Sequence, residues 1–306
     1  MTTEIVMHKF LLRTTTVFCL IFLAIGCGRE STRGQLMVRL TSQVPMPKDI
    51  ARISIETRFG GVRQGYDSFA VDSTKGSPLP VTMAVIQGTM PGKPVRVLVS
   101  GWDRNGVLRV VREVTTTVPL SRVADLTVEM DWACFDKVSD KSVLERDVEL
   151  QKVDSPRSDC ANDGETCILG RCVSDAIDSE TLPDFIKDAT ATTNGACFDV
   201  NKCFPAGGGV EIISKDPCQI DPLQGGIGIN LALWLPEGSS LGFCTPDRCL
   251  IPLNGYSPLG WTQAGGRLQL PLEVCSLITA GRVLRVAVST LCPTKTASIG
   301  ACDVMP

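Results

Sequence analysis

The sequence has almost no histidine: one of its 306 residues, His8, is of this type. His8 lies in the first 26 residues, which we interpret below as a removable export signal. Histidine is the only side chain whose unperturbed pKa allows it to titrate near neutral pH, and it is the base of Ser-His-Asp triads and Cys-His pairs. Its loss excludes these sites and histidine metal ligands from the processed chain, and we assign no catalytic residue, metal ligand or cofactor.

Clustered positive charge and long apolar runs are also missing. The net charge is −3, and no run of Lys or Arg exceeds two residues. Because nucleic-acid binding needs a concentrated basic face, we expect no nucleic-acid partner. The uncharged N-terminal run covers only residues 14–26, whereas a membrane-spanning helix needs about 20 apolar residues.

The N-terminus has the organisation of an export signal. His8, Lys9 and Arg13 form a basic region, and TTTVFCLIFLAIG follows at 14–26 without a charge. A basic region followed by a short apolar region is typical of a cleaved signal peptide, to which we assign residues 1–26. The chain is therefore expected in an oxidising compartment, where cysteines pair.

The end of this segment, LAIGC at 23–27, resembles the lipobox of bacterial lipoproteins. The resemblance implies acylation of Cys27, with residues 27–34 as a lipid-anchored tether. Ordinary signal-peptide cleavage is the alternative, since Ala24 and Gly26 also suit it. Cysteine parity favours the lipoprotein, because removing Cys19 and acylating Cys27 leaves an even set of twelve from the original fourteen.

The lipobox resemblance also implies a location. Two or more acyl chains give a stable membrane anchor, since each buried methylene contributes ~0.8 kcal/mol. Gly28, not Asp, follows Cys27. By resemblance to enterobacterial lipoproteins, this implies the outer membrane, facing the periplasm or the cell surface.

Residues 35–132 show the two-residue alternation of half-buried strands. Seven strands are predicted, at 35–42, 51–57, 67–72, 80–86, 94–102, 106–118 and 125–130. The Asn105-Gly106 pair predicts a hairpin turn before the sixth strand. This pattern predicts an antiparallel β-sandwich with Trp102 in its core or hairpin, and it resembles immunoglobulin-like or prealbumin-like domains in architecture, which implies a scaffold or binding module.

The rest of the chain divides by composition. Residues 133–159 are highly charged and predict a linker, 160–173 a small cysteine-rich knot, and 174–195 a solvated acidic linker. Strand-like runs recur at 209–214, 229–236, 267–274 and 282–291. We therefore predict a disulfide-bonded all-β domain over 196–306, and the whole chain as mainly β.

The stretch DCANDGETCILGRC at 159–172 could be a calcium loop, a zinc site or a disulfide framework. A calcium loop needs oxygen ligands at its third and twelfth places, which are Ala161 and Gly170. Zinc needs four ligands, usually in Cys-x₂₋₄-Cys pairs, whereas this stretch has three cysteines separated by six and four residues and the processed chain has no histidine. Disulfides are the remaining interpretation, with Gly164 and Gly170 in tight turns and each bond contributing ~2–4 kcal/mol.

The twelve expected disulfide cysteines are Cys134, Cys160, Cys167, Cys172, Cys197, Cys203, Cys218, Cys244, Cys249, Cys275, Cys292 and Cys302. Sequence does not determine how they pair. Proximity along the chain suggests Cys197–Cys203 and Cys244–Cys249, and we expect each bond to stay within one module.

The G-x-S-x-G stretch at 238–242 lacks a histidine base and a following helix, so it is interpreted as a turn. A pair of carboxylates about 5–10 Å apart in a cleft is the arrangement that would still support a hydrolase acting on extracellular polymers. Trp234, Tyr256 and Trp261 could line a sugar-binding face, although such residues more often fill the core of small β-domains.

Together these features resemble envelope lipoproteins of large-genome Gram-negative bacteria, a resemblance that implies no activity. We expect a non-enzymatic, lipid-anchored surface protein that displays β-modules for adhesion or partner binding. Its expected partners are the membrane, through the anchor, and an envelope protein or glycan, with ligand-binding residues unassigned. A structural envelope component and a carboxylate-dependent hydrolase are the alternatives.

Overall fold

The chain is built mainly from β-strands, as its alternating pattern predicts. A computed structural model describes residues 33–71, 79, 81–86, 92–139, 156–186, 197–205, 210–212, 218–221, 227–239, 241–256 and 260–302. These ranges hold nineteen strands and two short α-helices. The expected signal peptide and Cys27 lie outside the described residues.

The first seven strands form two sheets that share one apolar core. They are β1 (Gln35–Ser42), β2 (Arg52–Phe59), β3 (Val62–Ala70), β4 (Val81–Ile86), β5 (Pro94–Trp102), β6 (Leu108–Thr117) and β7 (Val123–Met130). The sheet orders are β4-β1-β7 and β3-β2-β5-β6. All neighbours are antiparallel except β1 and β7, which run parallel. Alternation predicts which side chains face inward and carries no information on a partner's direction.

Strands β1 and β5 have the predicted bounds, whereas β3 begins five residues earlier than predicted. Gly60 and Gly61 have φ angles of 54° and 86° and form the two-residue turn between β2 and β3. Such hairpin turns need positive φ at both central residues, which glycine adopts without steric cost. After the turn, Val62 is followed by polar Arg63 and Gln64, so the start of β3 lacks the alternation of apolar and polar residues that predicts a strand.

The sandwich core follows the period of two. Leu36, Val38 and Leu40 on β1 are at most 1 % exposed, and Leu126 and Val128 on β7 pack with them. Each such buried aliphatic side chain contributes about 1.5–3 kcal/mol.

Trp102 is buried, in agreement with the prediction, but it packs in a separate cluster with Leu98 and Leu108 on the other face of the sheet. Its indole N–H donates to Ser54 Oγ at 3.2 Å. That hydrogen bond satisfies the one polar group that an apolar environment would leave unpaired.

The segment after the cysteine-rich stretch covers one edge of each sheet. Thr115 N on β6 donates to Asp175 O at 2.8 Å, and Asp125 N on β7 donates to Pro183 O at 2.8 Å. The described part of the expected solvated acidic linker therefore pairs with the sandwich. Free N–H and C=O groups on an edge strand attract a pairing partner, and here the chain itself supplies that partner.

The cysteine-rich stretch forms a hairpin of β8 (Glu165–Ile168) and β9 (Arg171–Ser174), which we call the cysteine hairpin. Gly164 and Gly170 have φ angles of 80° and 79°, which confirms their predicted place in turns. Cys160 pairs with Cys172, and Cys167 with Cys134.

The Cys134–Cys167 bond corrects the expectation that each bond stays within one module. Cys134 lies in the 3₁₀ turn Trp132–Cys134 that ends β7, within the segment assigned to the charged linker. Asp131 Oδ2 accepts from Leu169 N at 2.5 Å, which ties the tip of the hairpin to the same turn. The cysteine hairpin is therefore stapled to the sandwich.

The remaining strands form the C-terminal part. They are β10 (Phe198–Asp199), β11 (Val210–Ile212), β12 (Gln219–Ile220), β13 (Asn230–Trp234), β14 (Phe243–Thr245), β15 (Arg248–Leu253), β16 (Thr262–Ala264), β17 (Arg267–Gln269), β18 (Arg285–Ser289) and β19 (Ala301–Cys302). Five of them make one sheet in the order β11-β18-β13-β15-β14, and β12-β17-β16 make another. Helix α1 spans Val200–Cys203 and α2 spans Leu272–Thr279.

Helix α2 replaces half of the strand predicted at 267–274. Pro271 stands at its N-cap and has no backbone N–H to give to a sheet, which favours a break after Gln269. Gly281, at a φ of 71°, ends the helix, donating to Ile278 O while Arg282 N donates to Leu277 O. This pair of bonds is a Schellman motif.

The C-terminal disulfides are Cys197–Cys302, Cys203–Cys292, Cys218–Cys275 and Cys244–Cys249. The expected Cys197–Cys203 bond is wrong, and the expected Cys244–Cys249 bond is present. Cys197 directly precedes β10, which pairs with β19 and so brings Cys302 alongside. Cys244 and Cys249 are opposite each other across the β14–β15 hairpin.

The C-terminal part packs directly on the sandwich. Lys48 Nζ donates to Gly242 O at 2.6 Å, and Gly242 N donates to Asp49 Oδ2 at 3.1 Å. Thr41 Oγ1 donates to Ala297 O at 3.0 Å. Apolar side chains of both parts belong to one core cluster.

We expect the loss of stability on removing a disulfide to grow with the sequence separation it closes. Cys197–Cys302 spans 105 residues and Cys244–Cys249 spans 5. Replacing both cysteines of a pair with serine should cost about 4–5 kcal/mol for the first pair and about 2 kcal/mol for the second, because the longer loop restricts the unfolded chain more. Denaturant unfolding at one pH measures both, and equal losses would contradict this explanation.

Candidate functional site

A charged cleft of about 440 Å³ lies between the sandwich and the cysteine hairpin. Its lining combines both signs of charge with small polar side chains. The lining residues are Arg96, Glu113, Thr115, Arg157, Ser158, Cys160, Asn162, Asp163, Gly164, Glu165 and Asp175. We call this site the charged cleft.

The register of β5 and β6 places three of these side chains on one face. Arg96 is opposite Thr115, and Glu113 is two residues from Thr115 on the same strand. Because side chains alternate between faces, all three point away from the core residues Val95, Val97 and Val114. The cysteine hairpin covers this outer face, and Glu113 N donates to Thr166 Oγ1 at 3.0 Å.

Ion pairs and hydrogen bonds hold the floor of the charged cleft. Arg96 Nη2 donates to Glu113 Oε2 at 2.6 Å, and Arg96 Nε lies 2.5 Å from Glu113 Oε1. Asp175 Oδ2 accepts from Thr115 Oγ1 at 2.8 Å. Paired guanidinium–carboxylate contacts of this kind fix geometry as well as charge. The floor is therefore pre-organised.

Glu113 and Asp175 both line the charged cleft, and each is held by a partner of its own, Arg96 for Glu113 and Thr115 for Asp175. Burial raises the pKa of Glu113, the Arg96 guanidinium opposes that rise, and the charge and hydrogen bond of Asp175 add to it. A nearby carboxyl group disfavours the charged form of Glu113, so Asp175 and burial act on the pKa of Glu113 in the same direction.

The carboxyl groups of Glu113 and Asp175 are both engaged by neighbouring side chains, whereas a glycosidase presents its carboxyl pair to the substrate. Retaining glycosidases hold their carboxyl groups about 5–5.5 Å apart, and inverting ones about 6.5–9.5 Å apart. Here Asp175 Oδ2 is already engaged by Thr115 Oγ1. Both oxygens of Glu113 are also engaged by Arg96. The pair is thus suited to holding the cleft's shape.

Asp159, Cys160 and Cys172 place three potential metal-ligand atoms within 4.8 Å of one another. Cys160 and Cys172 are joined in one disulfide, so neither offers a thiolate. One exposed carboxylate remains, which falls short of the ligand set that zinc or calcium requires.

The aromatic candidates for a sugar-binding face have separate environments. Trp261 is fully buried, and Tyr256 is exposed and packs on it with ring centroids 4.9 Å apart. Trp234 contacts the guanidinium groups of Arg248 and Arg285, at 5.2 and 5.5 Å from the ring centroid. Burial makes Trp261 unavailable to a ligand.

In the G-x-S-x-G stretch, Ser240 lies outside the described residues.

Comparisons with known proteins found no matching family model, no matching curated protein and no matching solved structure. Within the described ranges, no helix combines the length and the apolarity needed to cross a membrane. Functional inference consequently depends on the residues and their geometry.

We expect the Glu113→Gln variant to change how stability depends on pH. The pKa of Glu113 is higher in the folded chain than in the unfolded chain, where a glutamate has a pKa of about 4.3. As pH rises above that value, the unfolded chain releases its proton first, and the free energy of unfolding falls. The unfolding free energy of the wild type minus that of the variant should therefore fall as pH rises from about 4. Urea unfolding across the pH series measures this difference.

Asp103→Asn is the control of opposite sign. Burial acts to raise the pKa of Asp103, but hydrogen bonds from Val107 N, Arg109 and Asn105 N outweigh it and lower the pKa. The unfolding free energy of the wild type minus that of Asp103→Asn should therefore rise as pH increases through about 3.9, the pKa of an unfolded aspartate. A Glu113→Gln difference that also rose with pH would contradict the raised pKa.

Proposed function

We propose that this chain is a non-enzymatic, lipid-anchored cell-envelope protein that displays its β-modules for partner binding, with the charged cleft as its contact site. The observation that carries the proposal is the pre-organised charged cleft between two stapled modules. Binding is more favourable when the side chains that contact a ligand are already held in place, because less conformational entropy is lost.

The charges of the cleft favour a cationic ligand group. Four carboxylates line it, from Glu113, Asp163, Glu165 and Asp175, against the two guanidinium groups of Arg96 and Arg157. Arg96 pairs with Glu113, and Arg157 Nη1 pairs with Asp163 at 2.6 Å. Glu165 accepts from Asn162 Nδ2 at 3.0 Å, so its carboxylate meets a neutral donor. A lysine or arginine side chain of a partner suits this surplus of negative charge.

A protein partner is favoured over a glycan by the same lining. None of the lining residues is aromatic. Sugar-binding faces use the apolar surface of aromatic rings, and Trp261, one of the aromatic candidates for such a face, is buried. We therefore propose a basic segment of an envelope protein as the ligand.

Membrane attachment is proposed through acyl groups on Cys27. The lipobox-like LAIGC and the pairing of all twelve remaining cysteines in six bonds support this assignment. An outer-membrane location, facing the periplasm or the surface, remains part of the proposal.

The cleft is tested with the purified chain and short lysine-rich peptides by isothermal titration calorimetry. Glu165→Gln should weaken binding by up to about fivefold, since one partly exposed charge pair contributes about 0.2–1 kcal/mol. Affinity should also fall as salt is raised. Glu180→Gln, a matched change at an exposed acid outside the cleft, should leave affinity unchanged. Absence of binding, or equal weakening by both variants, would contradict the proposed site.

The anchor is tested by replacing Cys27 with serine. We expect the wild type in the membrane fraction with an acylated N-terminal cysteine, and Cys27→Ser in the soluble or unprocessed fraction, because the acyl chains supply the membrane affinity. Cell fractionation with mass spectrometry of the mature N-terminus measures both. A wild-type chain found inside the cell, unacylated and with titratable thiols, would overturn the anchored assignment.

A further inference from the structure

Three side chains from distant parts of the sequence meet where the C-terminal part packs on the sandwich. Glu129 lies on β7, Asn254 directly follows β15, and Lys295 lies between β18 and β19. Lys295 is 1 % exposed and Asn254 is 2 % exposed, and the Glu129 side chain is 16 % exposed. We call these residues the buried triad.

The backbone holds two of the three residues side by side. Gly255 N donates to Lys295 O at 2.7 Å, and Lys295 N donates to Asn230 Oδ1 at 2.8 Å. Because Gly255 directly follows Asn254, the side chains of Asn254 and Lys295 start from neighbouring positions. Trp261 N also donates to Asn254 O at 2.9 Å, which fixes the other side of this residue.

The contacts within the triad are directional. Lys295 Nζ donates to Asn254 Oδ1, and Asn254 Nδ2 donates to Glu129 Oε2 at 2.5 Å. Lys295 Nζ is 3.5 Å from Glu129 Oε1. In a simple ion pair the ammonium would approach the carboxylate most closely. Here it lies closer to the carboxamide oxygen, and the carboxyl group lies against the carboxamide nitrogen.

Burial favours the neutral forms of the two ionisable members. It lowers the pKa of Lys295, with Glu129 opposing the shift, and it raises the pKa of Glu129, with Lys295 opposing and Asp131 adding to the rise. A neutral amine is a nucleophile and a neutral carboxyl group is a proton donor, so the low polarity of the site supports both roles.

We infer that Lys295 and Asn254 are the partners of an intramolecular isopeptide bond, formed by self-reaction with Glu129 as the catalytic acid and base. The lone pair of Lys295 Nζ attacks Asn254 Cγ, and a C–N bond forms. Glu129 protonates Nδ2 as the Cγ–Nδ2 bond breaks, and it takes up the proton that Nζ releases. One ammonia molecule leaves, and no atom is oxidised or reduced.

Geometry supplies most of what this reaction needs. The amide carbon lies one C=O bond, about 1.2 Å, beyond the oxygen that Lys295 contacts. The contact with Oδ1 therefore places the amine next to the carbon that it attacks, and oriented groups react readily once they are about 3–3.5 Å apart. The bond would close a loop between two residues 41 positions apart. Unlike the six disulfides, it would survive reducing agents.

Mass spectrometry of the wild-type protein tests this inference directly. After complete reduction and alkylation of purified, folded protein, the intact mass should be lower by one ammonia than that of the mature sequence with all thiols alkylated. Trypsin should fail to cut after Lys295 and should yield one branched peptide joining residues 249–267 to 286–306. A full-length mass with separate linear peptides through Asn254 and Lys295 would overturn the inference.

Variants assign the role of Glu129. Glu129→Gln keeps the size of the side chain but removes its proton transfer, so the folded variant should retain the ammonia. Glu180→Gln, a matched control at an exposed glutamate outside the triad, should still lose it. A cross-link in folded Glu129→Gln would overturn the catalytic role of Glu129. If this variant does not fold, the wild-type mass and the branched peptide still decide whether the bond exists.

Discussion

The disulfide between Cys134 and Cys167 holds the cysteine hairpin against the outer face of the β5–β6 sheet. Leu98 and Trp102 are buried on that face in a cluster with Val138, which lies on the chain between Cys134 and Cys167. A four-stranded sheet cannot leave both faces apolar in water, so the apolar residues on its outer face require this covering. The charged cleft and the edge-pairing segment both follow from it, because the chain leaving the hairpin must run back along β6.

Charged side chains have different roles in the charged cleft and in the buried triad. In the charged cleft, water reaches the carboxylates of Asp163 and Glu165, so their pairing energies are small and their value lies in recognition. In the buried triad, Lys295 and Asn254 are buried and Glu129 is largely buried, so the same kinds of group have altered proton affinities and therefore altered reactivity. The charged cleft and the buried triad contain similar residue types, and they differ mainly in how far their side chains are exposed to solvent.

Covalent cross-links join many separate segments of this chain. Six disulfides and the inferred isopeptide bond all restrict the unfolded state, and most of them join residues far apart in sequence. Such restriction suits the export that we propose for this chain, because disulfides persist in oxidising compartments. The isopeptide bond would add a link that does not depend on the redox state of the compartment.

Local patterns in the sequence determined the elements whose cause is local. The two-residue alternation specified β1 and β5 to the residue, and Gly164 and Gly170 specified turns. The cysteine pairing was a different matter: Cys197 joins Cys302, not the nearby Cys203, because β10 pairs with β19. The charged cleft and the buried triad likewise combine residues from separate segments. Only tertiary packing brings those residues together, because alternation and turn chemistry act over a few residues and carry no information about which distant strand becomes a neighbour.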